Sequence, residues 1–305
     1  MAQPNPRQSH AQKPVRLYRA ASNSAPTCLI ADSPHSGRNY PDDFRYAVDL
    51  NILRRAEDAH IDRLFAFLPT LGVPLLTATV PRSYIDLNRA DSVTAPFLRA
   101  QAKGEDPDYA PQEGGLIRSP STPRDPAPVY NRTLKLSEAF NRVAKVHKPY
   151  HTRLAQLADA TATKHGAVMH LNLHSMPSTT HRGTRKNKYD IILGTRDGET
   201  ADDHLTHKLR ALLETKGYTV GLNVQGFRGA EIVRRHSSPA QNRHSIQIEI
   251  NRALYMNEKT LRRLPRMKTL QNDLQDVMQT FQRYCDATLP PAAQQTTRAK
   301  PHSPR

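Results

Sequence analysis

HGAVMHLNLHSMP, residues 165–177, is the stretch on which the architecture turns. Residues 167–173 read as a strand, with Val168, Met169, Leu171 and Leu173 apolar, Gly166 before them and Ser175-Met176-Pro177 after them. His170, Asn172 and His174 alternate along one face of it. Working outward, residues 136–164 carry a helical period interrupted by Pro149, and 191–193 form a short apolar run. A helix over 201–216 and strands over 219–223 and 245–250 follow, then a long helix over 258–284. Towards the N-terminus, 27–31 is an apolar run stopped by Asp32-Ser33-Pro34. Residues 53–68 have a helical period, and 73–80 and 84–87 read as strands. Strands alternating with helices predict an α/β fold: a mixed, mostly parallel sheet with helices on both faces.

The punctuation predicts one domain over 17–289 between two tails. Residues 1–16 and 290–305 are polar, Pro-rich and aperiodic, and are expected to be disordered. Residues 91–132, rich in Pro, Ser, Gly and Asp, are expected to form a lid-like loop inserted in the domain. The chain has 305 residues, 37% of them hydrophobic, with mean hydropathy −0.68. No apolar run approaches the ~20 residues that span a bilayer, and no charged segment leading into an apolar one opens the chain, which speaks against a secretory leader. Two cysteines, Cys28 and Cys285, exclude a disulfide framework or thiolate zinc finger and suit a reducing cytoplasm.

Lys and Arg number 44 against 28 Asp and Glu, a net charge of +16. Arg7, Lys13, Arg16, Arg298, Lys300 and Arg305 in the tails account for six of these charges, leaving about +10 spread over the body. No basic block, aromatic-interleaved strand or finger spacing points to nucleic acid, and a basic body equally suits collection of small anions.

Polar residues gather at the ends of the expected strands, where α/β sheets bind ligands. His35 and His174 each follow an apolar strand. Two histidines and one carboxylate leave a zinc position open for water, although both also fit as turn residues. Asp58, Asp62 and Glu57 are the candidate carboxylates. Glu249 alternates with Ile246, Ile248 and Ile250. Alternation alone favours a solvated face, whereas a cavity would raise its pKa and suit it to general-base work. Asn88 and Arg89, with Arg82 nearby, offer a bidentate fork for a carboxylate, or else a salt bridge to Asp86 or Asp91. Arg118 is a second anion candidate. There is no G-x-G-x-x-G, P-loop or G-x-S-x-G.

Seven segments in order carry a resemblance over residues 27–256. They are Pro34-His35-Ser36-Gly37, Asp58 with Asp62-Arg63-Leu64-Phe65, Asp86-Leu87-Asn88-Arg89, Pro149-Tyr150-His151, residues 171–177, Ile192-Leu193-Gly194, and Gln247-Ile248-Glu249-Ile250-Asn251-Arg252. Together they resemble the N-formylglutamate amidohydrolase family and, more distantly, aspartoacylases and desuccinylases. The resemblance implies a zinc-peptidase-like α/β fold and hydrolysis of a small anionic N-acyl amino acid, N-formyl-L-glutamate plus water giving formate and L-glutamate in histidine breakdown. It also implies His35 and His174 as zinc ligands, Glu249 as base, and Asn88, Arg89 and Arg82 on the substrate carboxylate. Arg118 or Arg252 would face the developing oxyanion. Aspartoacylase-like proteins carry Glu three residues after the first histidine, where this chain has Arg38; the third ligand implied is Asp58, with Asp62 in reserve.

Overall fold

The computed structural model describes residues 13–119, 128–179 and 186–289. In chain order the strands are β1 (Val15–Tyr18), β2 (Leu29–Ser33), β3 (Leu75–Ala78), β4 (Asp108–Tyr109), β5 (Leu134–Lys135), β6 (Val168–Met176), β7 (Ile191–Gly194), β8 (Val220–Leu222) and β9 (Arg243–Asn251). The helices are α1 (Leu50–Arg54), α2 (Ile61–Leu64), α3 (Thr94–Gln101), α4 (Leu136–Arg142), α5 (Lys148–His165), α6 (Asp203–Glu214), α7 (Glu231–His236) and α8 (Met267–Thr288). Seven strands make one sheet in the order β1-β3-β2-β6-β9-β7-β8, and β4 and β5 form a separate two-stranded ribbon. β3, β2, β6 and β9 run parallel; β1 is antiparallel to β3, and β7 to β9, with β8 parallel to β7. The sheet is mixed and mostly parallel, as the alternation of elements requires.

Side-chain alternation decides what each face buries. Leu29 and Ala31 of β2, Met169, Leu171 and Leu173 of β6, and Ile246, Ile248 and Ile250 of β9 pack with α2, α6 and α8 in one core. Helices α3, α4, α5 and α7 cover the opposite face. There the intervening residues are polar yet buried: Asp32 on β2, His170, Asn172 and His174 on β6, and Ser245, Gln247 and Glu249 on β9. Buried polar groups must find partners, and these find each other. His170 bonds Asp32 Oδ1 (2.9 Å) and Ser245 Oγ (2.8 Å), Asn172 donates to Asp32 Oδ1 (2.7 Å), and Tyr150 of α5 donates to Asp32 Oδ2 (2.6 Å).

Several expectations are corrected. Residues 53–68 are not one helix: His60 adopts φ 69°, and the chain breaks into α1, α2 and a 3-10 turn, Leu68–Leu71. Residues 84–87 are an irregular turn rather than a strand, because their backbone groups bond loops and side chains instead of a neighbouring strand. Pro149 does not interrupt the helical run; a π turn, Val143–His147, links α4 to α5 and places the proline in the first turn of α5. The last helix begins only at Met267, after Pro265. Val15 and Arg16, expected in the N-terminal tail, belong to β1; residues 1–12 and 290–305 lie outside the described residues. The described part of 91–132 contains α3 and buries Leu116, Ile117 and Val129; 120–127 lie outside the described residues. Cys28 and Cys285 are both buried in the core beneath β2, and burial pushes both thiols above their usual range. Among the described residues no helix is long and apolar enough to cross a membrane.

Candidate active site

The carboxyl ends of β2, β6 and β9 lie side by side, and the polar face of the sheet continues there into a cavity of about 400 Å³. His174 and Glu249 are register partners on adjacent strands, and His35 follows β2. His35, Asp58, Arg82, Asn88, Arg89, Arg118, His174, Glu249 and Arg252 all line this cavity. Arg55 and Arg228, which no motif in the sequence singles out, line it as well.

The two imidazoles lie with ring centroids 4.7 Å apart. Asp58 Oδ2 is 3.0 Å from His174 Nδ1 and 3.4 Å from His35 Nδ1. The outer nitrogens are committed elsewhere: His35 Nε2 to Asp86 Oδ1 (2.7 Å) and His174 Nε2 to Asn172 Oδ1 (2.8 Å). Donation of those Nε2 protons leaves both Nδ1 lone pairs pointing at the Asp58 oxygen, and His35 Nδ1 is buried with no hydrogen-bond partner. Three acceptors facing one another in a buried site repel unless a cation lies between them. Among the described residues this is the one group of three or more His, Cys, Asp or Glu whose ligand atoms converge, all within 4.8 Å. The donor set and the orphaned nitrogen fit a divalent ion such as zinc.

The reserve carboxylates are elsewhere. Asp62 pairs with Arg38 (3.1 Å), and Glu57 accepts from Tyr40 (2.7 Å). Arg38, occupying the place of the aspartoacylase-type glutamate, pairs with Asp62 outside the His35, Asp58 and His174 group. Asp58 is brought in because its own N–H bonds His35 O (2.9 Å) and its Oδ1 accepts from Ser175 (3.0 Å) and Arg252 (3.1 Å).

Glu249 does not face bulk solvent; it is 7% exposed and accepts from Gln247 Nε2 (2.9 Å). Burial above all, helped by the Asp58 charge, raises its carboxyl to about 7, against the pull of His174, Arg82 and Arg252. Asp86 is the hub of the cationic wall. Arg82 bonds it at 2.8 Å and Arg118 lies 3.7 Å away. Arg82, His35 and Arg89 hold Asp86 well below the usual range despite burial. One carboxylate does not neutralise three guanidinium groups: burial and the Arg82 charge pull Arg118 down to about 10, and its Nε is buried without a partner. Such a wall favours an arriving anion. The Asn88 side chain is aimed by the Ile232 N–H at the start of α7 (2.8 Å).

Arg252 is engaged by the protein itself. Its Nε donates to Ser175 Oγ, and its two terminal nitrogens to Arg55 O, Glu57 O and Asp58, so it clamps the Asp58 segment in place.

The N-formylglutamate amidohydrolase family model matches residues 27–256. The chain is 29% identical over 239 residues to an N-formylglutamate deformylase of Pseudomonas aeruginosa, covering 76% of this chain and 83% of that protein. It is likewise 29% identical over 238 residues to one of Pseudomonas putida, covering 75% and 82%. The crystal structure of an N-formylglutamate amidohydrolase from Ralstonia eutropha JMP134 superposes with a TM-score of 0.77 at 37% identity, covering 89% of this chain and 98% of that one. With three quarters of its length matched, the site residues included, the chain belongs to the N-formylglutamate amidohydrolase family.

Proposed function

We propose that the protein hydrolyses N-formyl-L-glutamate to formate and L-glutamate, with a divalent metal, zinc by its donor set, held by His35, Asp58 and His174. The observation that carries this reading is the convergence of two imidazole nitrogens and a carboxylate oxygen on one buried point beside Glu249. A divalent ion there supplies Lewis acidity and lowers the pKa of water from 15.7 towards ~7. Asn88 and Arg89, with Arg82 behind them, receive the amino-acid carboxylate and hold the formyl carbon within reach of Glu249. Glu249 removes a proton from the attacking water as oxygen adds to the formyl carbon, and returns it to the amide nitrogen as the C–N bond breaks. Arg118, which retains a donor without a protein partner, balances the charge growing on the formyl oxygen; Arg252 keeps Asp58 in position. The buried thiols suit a cytoplasmic setting.

The test is formate release from N-formyl-L-glutamate, with metal content measured by mass spectrometry on the same preparation. About one equivalent of divalent metal and loss of turnover on chelation are expected. Glu249→Gln is expected to retain metal and lose ~10²-fold or more in kcat. Full activity in a chelated, metal-free preparation overturns the reading. A panel of N-formyl, N-acetyl and N-succinyl amino acids separates it from the desuccinylase-like alternative, which predicts preference for the succinyl group. Steeply salt-dependent binding of nucleic acid with no hydrolysis would replace an enzyme with a binding protein.

A further inference from the structure

Among the described residues the segment carrying Asn88 and Arg89 has no strand neighbour to hold it, and a substrate anchor without a rigid backbone is a poor one. Its carbonyls are nevertheless all engaged. Asn88 O accepts from Arg89 (2.8 Å), Leu87 O lies 3.0 Å from His151 Nε2, and Arg89 O lies 2.9 Å from His147 Nε2. A carbonyl can only accept, so both histidines are in the Nε2–H tautomer. The two rings are four residues apart on one helical face, 4.3 Å between centroids, and both are buried. The π turn that ends at His147, just before Pro149, sets that face against the Asn88 segment.

The circuit closes through α7. His151, donating from Nε2, must accept at Nδ1, and His236 Nε2 lies 2.9 Å from it. His236 is the last residue of α7, and the first turn of the same helix donates the Ile232 N–H to Asn88 Oδ1. One end of α7 therefore aims the Asn88 side chain while the other fixes the tautomer of the histidine that holds its backbone.

We infer that His147 and His151 are positioning residues for the substrate carboxylate, acting through the carbonyls of Arg89 and Leu87 to hold Asn88 and Arg89 in register with the cavity. The inference rests on the reading that those two residues bind the substrate. Neither histidine touches the proposed metal ligands, and the Asn88 side chain reaches them at His174 Nε2 (3.2 Å), so the effect is expected in substrate affinity, with metal content as the control.

The experiment compares His147→Gln, His147→Asn and His147→Leu, and the same set at His151. Each is assayed for KM and kcat on N-formyl-L-glutamate, for metal content and for Tm. Glutamine places an N–H near the Nε2 position; asparagine has the same amide but falls short, and leucine has no donor. KM is expected to rise ~10-fold or more in the Asn and Leu variants, with kcat within ~3-fold and metal content unchanged, and to return within ~3-fold of wild type in the Gln variants. Should the Leu variants fail to fold, the Gln–Asn contrast still decides. Equal KM across Gln, Asn and wild type, or a loss confined to kcat, overturns the inference while leaving the proposed reaction standing. Wild-type protein inactive on the whole acyl panel removes the reaction and this inference with it.

Discussion

Asp86 shows how much one buried carboxylate can organise. It accepts from His35 Nε2, thereby choosing the tautomer that leaves Nδ1 as a lone pair, and it anchors Arg82 at the same time. Replacing it by Asn preserves volume and removes the charge. Metal affinity is then expected to fall ~10–100-fold, the cost typical of losing a carboxylate behind a ligating histidine, as measured by competition with a chromogenic chelator; unchanged affinity would contradict the role given to Asp86. At this scale much was legible in the sequence. His35, His174, Asn88 and Arg89 stand where apolar runs stop, and a family pattern singled out Asp58 from three nearby acids. The direction of Glu249 was not legible, because alternation reports that two faces differ and not which one water reaches. Here α5 and α7 close over the polar face. The full engagement of Arg252 was equally hidden, since its partners include the carbonyls of Arg55 and Glu57, which any residue type would present.

Among the elements, the central strands were the easiest to read and the connections the hardest. β6 and β9 announce themselves by period-two alternation, but β1 hides in a Pro-rich, charged stretch and forms because the edge of β3 offers it a ladder. The helical period of 53–68 misleads because Asp58 is drawn to His35 by its own N–H, and the turn that achieves this passes through His60 in the left-handed region. The turn after β2 is as tightly constrained. A Cβ on Gly37 would lie 2.0 Å from Val80 O, a backbone atom with little freedom to retreat. Gly37→Ala is therefore expected to cost at least the ~1–3 kcal/mol typical of overpacking, read as a lower urea midpoint. Because His35 is two residues away, metal should bind more weakly as well; a variant with wild-type midpoint and metal affinity would show that the turn has slack.

For the molecule as a whole, the buried histidines carry a pH signature. Burial chiefly pulls His151 to about 2 and His236 to about 3. His147, His236 and Arg235 add to the effect at His151; at His236 His170 and Arg235 add to it, while Asp32 and Asp159 oppose it. Both folded values lie below the ~6.5 of an unfolded histidine, so the unfolded chain binds more protons on acidification. The stability these residues provide is complete above about pH 6.5. It declines as pH falls towards the folded values, by up to about 1.4 kcal/mol per pH unit for each histidine. Tm is expected to drop between pH 7 and pH 5 in calorimetry, and His236→Gln to make the drop shallower; a flat profile would mean that the cluster opens to water before it is titrated. The charge of +16 was plain in the sequence, but its meaning was not. The fold adds Arg55 and Arg228 to Arg82, Arg89, Arg118 and Arg252 and gathers all six round one cavity.

The two thiols under β2 give the folded protein a chemical silence. Shielded from solvent and held in their protonated form, Cys28 and Cys285 offer alkylating or mercurial reagents nothing to attack while the core is shut. Inactivation by such a reagent would time the opening of the core and say nothing of the hydrolytic centre, and labelling at these two positions becomes a clock for how often the molecule breathes.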